Sequence, residues 1–193
     1  MNAVNGPEIP VFTTKRLILR GVSLDDVPAY EKRFVDYEVI RYLADAVPWP
    51  YPAGGVGEYL EKVVLPVQGK SRWLWAILLR EAPGDLIGVV DLWRDGRPEH
   101  RGFWLGREFW GRGIMTEATA PVTDFAFDVL GFKELIFANA TGNVGSRRVK
   151  EKSGARLLRT EPAGFVDPQL TEQEVWRLTP QDWASWKANP QSE

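Results

Sequence analysis

The stretch Trp110-Gly111-Arg112-Gly113-Ile114-Met115-Thr116-Glu117-Ala118 is the strongest indication of the fold. Two glycines separated by an arginine follow the apolar, strand-like segment Phe103-Trp104-Leu105, and a helical pattern begins directly after them. Glycine lets backbone N–H groups turn inward and lets a ligand approach where a Cβ would block it. At a helix start, those N–H groups and the helix dipole favour a diphosphate. A strand-to-helix turn that merely requires glycine is the other interpretation.

Strands and helices alternate on both sides of this stretch. Apolar alternation and aromatic or β-branched runs predict strands over residues 16–20, 73–80, 86–93, 101–105, 135–140, 157–159 and 174–178. Helical spacing and caps predict helices over 24–37, with an extension toward 43 after a break, over 58–64, from the glycine loop to a cap at Gly131, and over 144–153. Turns are predicted at 82–85 and at Asp95-Gly96. Residues 1–14 are polar without periodicity and predict a loose tail.

This order of elements predicts one α/β (α+β) domain over residues 1–193. The three strands between 73 and 105 are joined by short turns and predict an antiparallel meander. Helices then alternate with the later strands. The expected architecture is a mixed, mostly antiparallel sheet of about six to seven strands flanked by helices.

Composition excludes several classes of site and partner. The 193 residues contain no cysteine, which excludes disulfides, thiolate metal sites and a cysteine nucleophile, and one histidine excludes a multi-histidine metal site. The formal net charge of −2 gives no general attraction to nucleic acid or an anionic membrane. No apolar run reaches the ~18 residues of a membrane span, and the N-terminus lacks the pattern of a signal peptide. We therefore expect a cytoplasmic protein without a metal, a nucleic-acid partner or a membrane partner.

One cluster of charge departs from this balance. Between positions 144 and 159 the chain has one glutamate and a larger number of cations. The cations are Arg147, Arg148, Lys150, Lys152, Arg156 and Arg159. Such a run is commonly a solvated helix face, but one or two of its cations could meet a ligand phosphate. Nucleic-acid binding through this segment is the alternative, and the acidic balance of the whole chain disfavours it.

Five stretches of the chain together form a recognisable pattern. They cover residues 14–20, 87–90, 102–105, 110–118 and 143–154, and the last reads Asn-x-x-Ser-x-Arg-Val-x-Glu-Lys-x-Gly. This order and spacing resemble the GNAT superfamily of acetyl-CoA-dependent N-acetyltransferases, most closely the branch with the ribosomal-protein acetyltransferases RimJ and RimL. Trp110 and Met115 depart from the superfamily's common loop, Ala155 stands where an aromatic residue is frequent, and the family's tyrosine acid has no obvious counterpart.

The resemblance implies a sheet that splays where acetyl-CoA binds, with the pantetheine and thioester on one strand and the diphosphate on the glycine loop. The residues it implies as coenzyme contacts are Phe103, Trp104, Leu105, Trp110, Gly111, Arg112, Gly113, Ile114, Met115, Thr116, Asn143, Ser146, Arg147 and Lys150. Thr116 could instead be a helix N-cap, and Asn143 could cap the next helix, bond the pantetheine, or do both. Glu117 favours the positive end of the helix dipole and is assigned no chemistry.

The resemblance also implies direct attack of a neutral amine on the thioester, without an acyl-enzyme. His100, just before the thioester strand, and Asp91, on the preceding strand, are the candidate bases. Ser146 is the candidate acid for the leaving thiolate, or it satisfies a backbone group in its helix. Trp49 and Tyr51 lie in a proline-rich segment that is either a wall for the acceptor or a packed loop without a ligand.

The acceptor is the least defined part of this prediction. An α-amine of pKa ~8 is about one-tenth neutral at pH 7, whereas a lysine of pKa ~10.4 is less than one part in a thousand neutral. A weak base or a water relay therefore suffices for a protein N-terminal α-amine. A small-molecule acceptor (amino acid, polyamine or antibiotic) remains open, as does an acyl-CoA-binding regulatory module without turnover. We expect a monomer or a homodimer.

Overall fold

The structure is a computed structural model that describes residues 9–94 and 97–189. The strands in this part of the chain are β1 (Phe12–Thr13), β2 (Leu17–Gly21), β3 (Arg72–Leu79), β4 (Ala82–Trp93), β5 (Arg101–Leu105), β6 (Leu135–Ala140), β7 (Arg156–Pro162) and β8 (Glu172–Leu178). The α-helices are α1 (Val27–Phe34), α2 (Tyr37–Ile40), α3 (Gly55–Tyr59), α4 (Ile114–Asp124), α5 (Val144–Glu151) and α6 (Pro180–Ala188). Helices α3 and α4 continue as π-helical segments over Leu60–Val64 and Phe125–Val129. Within the described residues, no helix is long and apolar enough to cross a membrane.

The strands form two antiparallel sheets, of order β1-β2-β3-β4-β5 and β6-β8-β7, so the α/β prediction is confirmed. The strands number eight in the described residues and divide between two sheets, where one mixed sheet was expected. The sheets meet where His100 donates its backbone N–H to the Ile136 carbonyl at 2.8 Å. Past that point β5 and β6 form no ladder in the described structure, which is the expected splay.

Strand β3 is apolar on both faces because helices cover both sides of the first sheet. Trp73 and Trp75 pack on one side with α4 and α6, while Leu74 and Ala76 pack on the other with α1 and α3. The continuous apolar run in the sequence is therefore two alternating faces of one buried strand. The gap between β5 and β6 opens toward both of these layers.

The predicted N-terminal tail is shorter than residues 1–14. Phe12–Thr13 pairs with β2, and the Pro10 carbonyl accepts a hydrogen bond from Trp75 Nε1 at 2.9 Å. A buried indole N–H needs an acceptor, and its hydrogen bond to Pro10 holds this part of the N-terminal segment against the sheet. Residues 1–8 lie outside the described part of the chain.

The β3–β4 hairpin turns earlier than predicted. Residues 82–85 belong to the exposed start of β4, and the chain reverses between Leu79 and Ala82. The pairing register shifts at this end of the hairpin, which allows the shorter connection. The turn predicted at Asp95-Gly96 lies outside the described residues.

The helical prediction differs at two places. The helix expected over 24–37 ends at Phe34, and Asp36 begins α2 by accepting the Glu38 N–H at 2.9 Å. Helix α6 was not predicted, although its start carries a sequence signal. Thr179 and Asp182 form a capping box there, which is a recognisable pattern for a helix N-terminus.

Candidate active site

A cavity of ≈ 630 Å³ lies in the gap between β5 and β6 and is bounded by the glycine loop and α5. Val39 of α2 lines it from one layer of the fold, and Ile114 and Val149 line it from the other. The cavity therefore passes through the sheet. Two molecules could approach the same point in it from opposite faces.

The backbone of β5 presents hydrogen-bond donors to this gap. Gly106 donates its N–H to the Ile87 carbonyl of β4 at 2.8 Å. Backbone groups point alternately to the two sides of an antiparallel strand. The backbone N–H and C=O of Trp104 therefore also face β4, while those of Phe103 and Leu105 face the gap. The Leu105 carbonyl accepts the Trp110 indole N–H at 2.7 Å. The N–H groups of Phe103 and Leu105 are thus placed toward whatever enters.

The glycine loop adopts a conformation that only glycine enters readily. Gly111 has φ 72° and Gly113 has φ 69°, both in the left-handed region. A Cβ added at Gly111 would meet nothing within 4 Å, and one at Gly113 would meet only Arg16 Nη2 at 3.8 Å. The space beside both residues is left open to the cavity that they line.

Helix α4 begins directly from this loop, with Gly113 as its N-cap. Its first bond runs from the Glu117 N–H to the Gly113 carbonyl at 3.1 Å, so the N–H groups of Ile114, Met115 and Thr116 have no helical acceptor. Thr116 lies in the first turn and is not the N-cap. The arrangement is an anion cradle of backbone N–H groups.

Glu117 holds the loop to the start of β2. Its carboxylate accepts hydrogen bonds from Thr14 Oγ1 at 2.6 Å, the Arg16 N–H at 2.8 Å and Arg16 Nε at 2.6 Å. Arg16 Nη1 also donates to the Arg112 carbonyl at 2.9 Å. Burial raises the pKa of Glu117, but these hydrogen bonds outweigh it and lower that pKa. Glu117 is therefore a structural anion that fixes the loop.

The start of α5 forms the opposite wall of the cavity. Asn143 caps the helix, its Oδ1 accepting the Ser146 N–H at 3.0 Å, so only its Nδ2 group remains for a ligand. Lys150 lies one turn further on and is 2% exposed. Its Nζ donates to Ser146 Oγ at 2.7 Å. Burial, with a contribution from the Arg101 charge, lowers the pKa of Lys150 well below its usual range.

The basic cluster of α5 divides between the cavity and the surface. Arg147 forms an ion pair with the buried Glu174 and is not among the cavity-lining residues. Arg148 and Lys152 do line the cavity and are exposed at its mouth. Lys150 points inward to Ser146, away from the solvent-facing position expected of a phosphate contact.

Asp91, Trp49 and Tyr51 do not line the cavity. Asp91 is buried and forms an ion pair with Arg72, whose Nε lies 2.9 Å from Oδ1. Burial raises the pKa of Asp91 and the Arg72 charge opposes that change. Trp49 packs on Tyr37 with ring centroids 5.3 Å apart, and the Tyr51 ring packs on that of Phe34. The proline-rich segment thus lies beside the α2 side of the cavity.

His100 joins the two sheets. Its Nδ1 accepts the Ile136 N–H at 2.9 Å, its backbone N–H donates to the Ile136 carbonyl, and its ring packs edge-on against Phe132. It does not line the cavity. Burial lowers the pKa of His100, with the charges of two nearby glutamates opposing it. The neutral ring is the form that can accept the Ile136 hydrogen bond.

We expect His100 to make the protein less stable in mild acid. Below its ordinary pKa of about 6.5 the unfolded chain takes up a proton that the folded protein resists, so stability is full above pH 6.5 and is lost as the pH falls toward the lower, folded pKa. His100→Asn retains an acceptor but has no such titration. Unfolding by denaturant between pH 7.5 and 5.5 should show a smaller loss in this variant. A folded His100→Asn with turnover reduced by orders of magnitude would instead establish His100 as the base.

Two buried polar residues of the cavity were not anticipated. Arg101 and Asn139 both line it and are buried, and each has side-chain atoms without a hydrogen-bond partner: Nε and Nη2 of Arg101 and Oδ1 of Asn139. Arg101 directly follows the join of the two strands at His100 and Ile136, whereas Asn139 lies three residues beyond Ile136 on β6. The sequence signal that could have identified them as site residues was a polar side chain within an otherwise apolar strand.

Residues 16–156 of the chain match the protein-family model for the acetyltransferase (GNAT) domain. The chain belongs to the GNAT acetyltransferase family. It is 27% identical over 187 residues to FsC-acetyl coenzyme A-N(2)-transacetylase of Aspergillus fumigatus, a match covering 90% of this chain and 78% of that protein. Its fold is similar to Mycobacterium smegmatis RimJ in complex with CoA-disulfide, with a TM-score of 0.75 and 16% identity over 95% of each chain. Ribosomal-protein-S5-alanine acetyltransferase from Vibrio fischeri has a TM-score of 0.74 and 16% identity, covering 90% of this chain and 98% of that one.

Family membership confirms the predicted activity class and the predicted likeness to RimJ and RimL. This GNAT protein is an N-acetyltransferase that uses acetyl-CoA as acyl donor and an amine as acceptor. Metal-ligating residues form no cluster in the described part of the chain.

Proposed function

We propose that this acetyltransferase acts on an α-amine, with a protein N-terminus as the first acceptor to test. One observation carries the proposal. Among the described residues that line the cavity there is no aspartate, glutamate or histidine, since Asp91 and His100 both lie outside it. Among its described lining residues the site has no carboxylate or imidazole to deprotonate the acceptor, and Lys150 is engaged with Ser146.

The acceptor must therefore arrive neutral or lose its proton to water. At pH 7 about one-tenth of an α-amine of pKa ~8 is neutral, against less than one part in a thousand of a lysine amine. The cavity walls also carry Arg112, Arg148 and Lys150, which disfavour a polycationic amine by charge. Both effects favour an α-amine over a lysine side chain or a polyamine.

The glycine loop and the mouth of the cavity suit the coenzyme's phosphates. The loop N–H groups of residues 111–116 would hold the diphosphate, because a Cβ at Gly111 or Gly113 would occupy the open space beside them. The exposed cations Arg112, Arg148 and Lys152 lie where a further phosphate could be bound. Asn143 Nδ2 can donate to the pantetheine arm.

The strand β5 provides the electrostatic part of catalysis. When bound, acetyl-CoA supplies an activated acyl group as a thioester. The N–H groups of Phe103 and Leu105 stabilise the negative charge that develops on its carbonyl oxygen as the amine attacks. A donor aimed in this way contributes about 3–4 kcal/mol in a serine protease. No acyl-enzyme is expected, because the chain has no cysteine.

Ser146 is the proposed proton donor to the departing thiolate. Because Lys150 Nζ donates to Ser146 Oγ at 2.7 Å, the hydroxyl proton is left to point toward another acceptor in the cavity. Lys150 acts through Ser146 and is a positioning residue.

The proposal is tested by thiol release from acetyl-CoA with two matched peptides. One has a free N-terminus and an acetylated lysine, and the other has an acetylated N-terminus and a free lysine. At pH 7 the first should react faster by on the order of 100-fold, from the neutral fractions alone. Equal rates, or a preference for the lysine peptide, contradict the proposal. No thiol release with any amine in a wider panel would indicate a coenzyme-binding regulatory module.

A further inference from the structure

Arg101 is a buried cation at the closed end of the cavity, next to the point where His100 joins the two sheets. It is 4% exposed, and its Nη1 donates to Thr123 Oγ1 at 3.0 Å. Its Nε and Nη2 have no partner. Its guanidinium carbon lies 4.0 Å from the centroid of the Phe137 ring. Burial lowers the pKa of Arg101 to about 9, which still leaves it protonated at neutral pH.

Lys150 is a second buried basic group in the same cavity. Its Nζ contacts Ser146 Oγ and lies 5.5 Å from the centroid of the Phe103 ring. The charge of Arg101 contributes to lowering the pKa of Lys150, so the two groups act on one another. The described cavity lining contains no carboxylate to offset them.

A buried guanidinium without a counter-ion is unfavourable in a folded protein, as is a basic amine beside it, and apolar side chains of similar size are more stable in such places. Their presence is explained if an anion joins them in the functional complex. The shape of the vacant donors identifies which anion. Nε–H and Nη2–H form one edge of a guanidinium, and a carboxylate accepts from that edge with two parallel hydrogen bonds.

We propose that Arg101 and Lys150 form a subsite for a substrate carboxylate at the closed end of the cavity. The inference rests on the proposed function, because that function places the thioester along β5. The closed end of the cavity is then where the far end of a substrate lies. The carboxylate can come from either substrate. It is the terminal carboxylate of a dicarboxylic acyl group carried by coenzyme A, or the α-carboxylate of an amino-acid acceptor.

The reaction balances in the same way with either source. The amine nitrogen forms a bond to the thioester carbon, the carbon–sulfur bond breaks, the nitrogen loses a proton and the thiolate gains one. The carboxylate is unchanged and serves only for recognition. A dicarboxylic donor would give the enzyme a further acyl-transfer activity beside acetyl transfer.

The first arm of the test compares succinyl-CoA with butyryl-CoA, which have the same chain length and differ in the terminal carboxylate. If the acyl group supplies the carboxylate, the wild-type kcat/KM for succinyl-CoA exceeds that for butyryl-CoA by about 10- to 100-fold, the contribution of a hydrogen-bonded charged group. Arg101→Met lowers that ratio to about one. A ratio within one variant is insensitive to a uniform loss of activity.

The second arm keeps acetyl-CoA and compares an amino acid with its carboxamide at equal concentrations of neutral amine. If the acceptor supplies the carboxylate, the preference for the free acid appears here and is lost in Arg101→Met. Wild-type ratios near one in both arms overturn the proposal.

A binding measurement separates this proposal from the failure of the proposed function. Sodium succinate should raise the melting temperature of the wild type more than sodium chloride does at equal ionic strength, and Arg101→Met should lose the difference. Equal effects of the two salts on the wild type overturn the subsite even if turnover is observed. A succinate effect without any turnover supports the subsite and rejects the proposed function. Arg101→Met should itself fold, because it replaces an unpaired buried cation by a flexible apolar side chain.

Discussion

Replacing Gly113 by valine is expected to abolish acetyl-CoA binding while the protein remains folded. Gly113 lines the cavity with φ 69°, and a Cβ there would meet only Arg16 Nη2 at 3.8 Å. A branched side chain would therefore fill open space that the coenzyme's diphosphate needs. The positive φ adds a backbone strain of about 1–2 kcal/mol, which a folded domain of this size tolerates.

Gly131 provides a matched control for that strain. It also has φ 69°, a Cβ there would meet nothing within 4 Å, and it lies outside the cavity lining. Gly131→Val should cost similar stability and bind acetyl-CoA normally. Coenzyme at 100 times its Kd should stabilise the wild type and Gly131→Val by roughly 2.7 kcal/mol, and Gly113→Val not at all. A folded Gly113→Val with normal binding would show that the diphosphate lies elsewhere.

Replacing Ser146 by alanine is expected to lower turnover by about 10²- to 10⁴-fold, the usual contribution of a general acid. Coenzyme affinity should change little, because the hydrogen bond to the departing sulfur strengthens only in the transition state. The measurement is kcat together with the coenzyme Kd on one preparation. Its pattern distinguishes an acid from a residue that only supports the helix.

Ser153, two residues past the end of α5, is the control. Its hydroxyl donates to the Lys150 carbonyl at 2.7 Å, it is buried, and it does not line the cavity. Ser153→Ala should cost about 1 kcal/mol of stability without an effect on turnover. Wild-type turnover in Ser146→Ala removes the acid role and leaves water to protonate the thiolate.

Local signals predicted the parts of the site that are built from one short segment. The predicted ends of β5 and β6 agree with the observed ones, and α5 was predicted with its observed start and an end two residues too late. The glycine loop was predicted because Gly111 and Gly113 can adopt a positive φ that other residues avoid. Glycines between a strand and an amphipathic helix indicate such a loop from a few adjacent residues alone.

Contacts between distant segments could not be predicted in the same way. The donor to His100 Nδ1 is the backbone N–H of Ile136, 36 residues away, so nothing next to the histidine reveals that its Nδ1 is engaged. The partner of Asp91 is Arg72 on the neighbouring strand. Both residues looked available for catalysis because sequence shows residue type but not what covers the side chain.

Lys150 illustrates a signal that was present and not used. Ser146 and Lys150 are four positions apart, which places them on one face of a helix. Val149 shares that face and is buried, whereas Arg148 is exposed. The spacing therefore indicated that this lysine, unlike its neighbours in the basic run, faces the protein interior.

In the proposed function, the acceptor's own ionisation sets the rate of acetyl transfer without an enzyme base. The most direct measurement is the pH dependence of kcat/KM with two peptides whose N-terminal pKa values differ by about one unit. The apparent pKa of the profile is expected to move with that of the peptide by the same amount. An apparent pKa that is the same for both peptides would contradict it, because the titrating base would then belong to the enzyme.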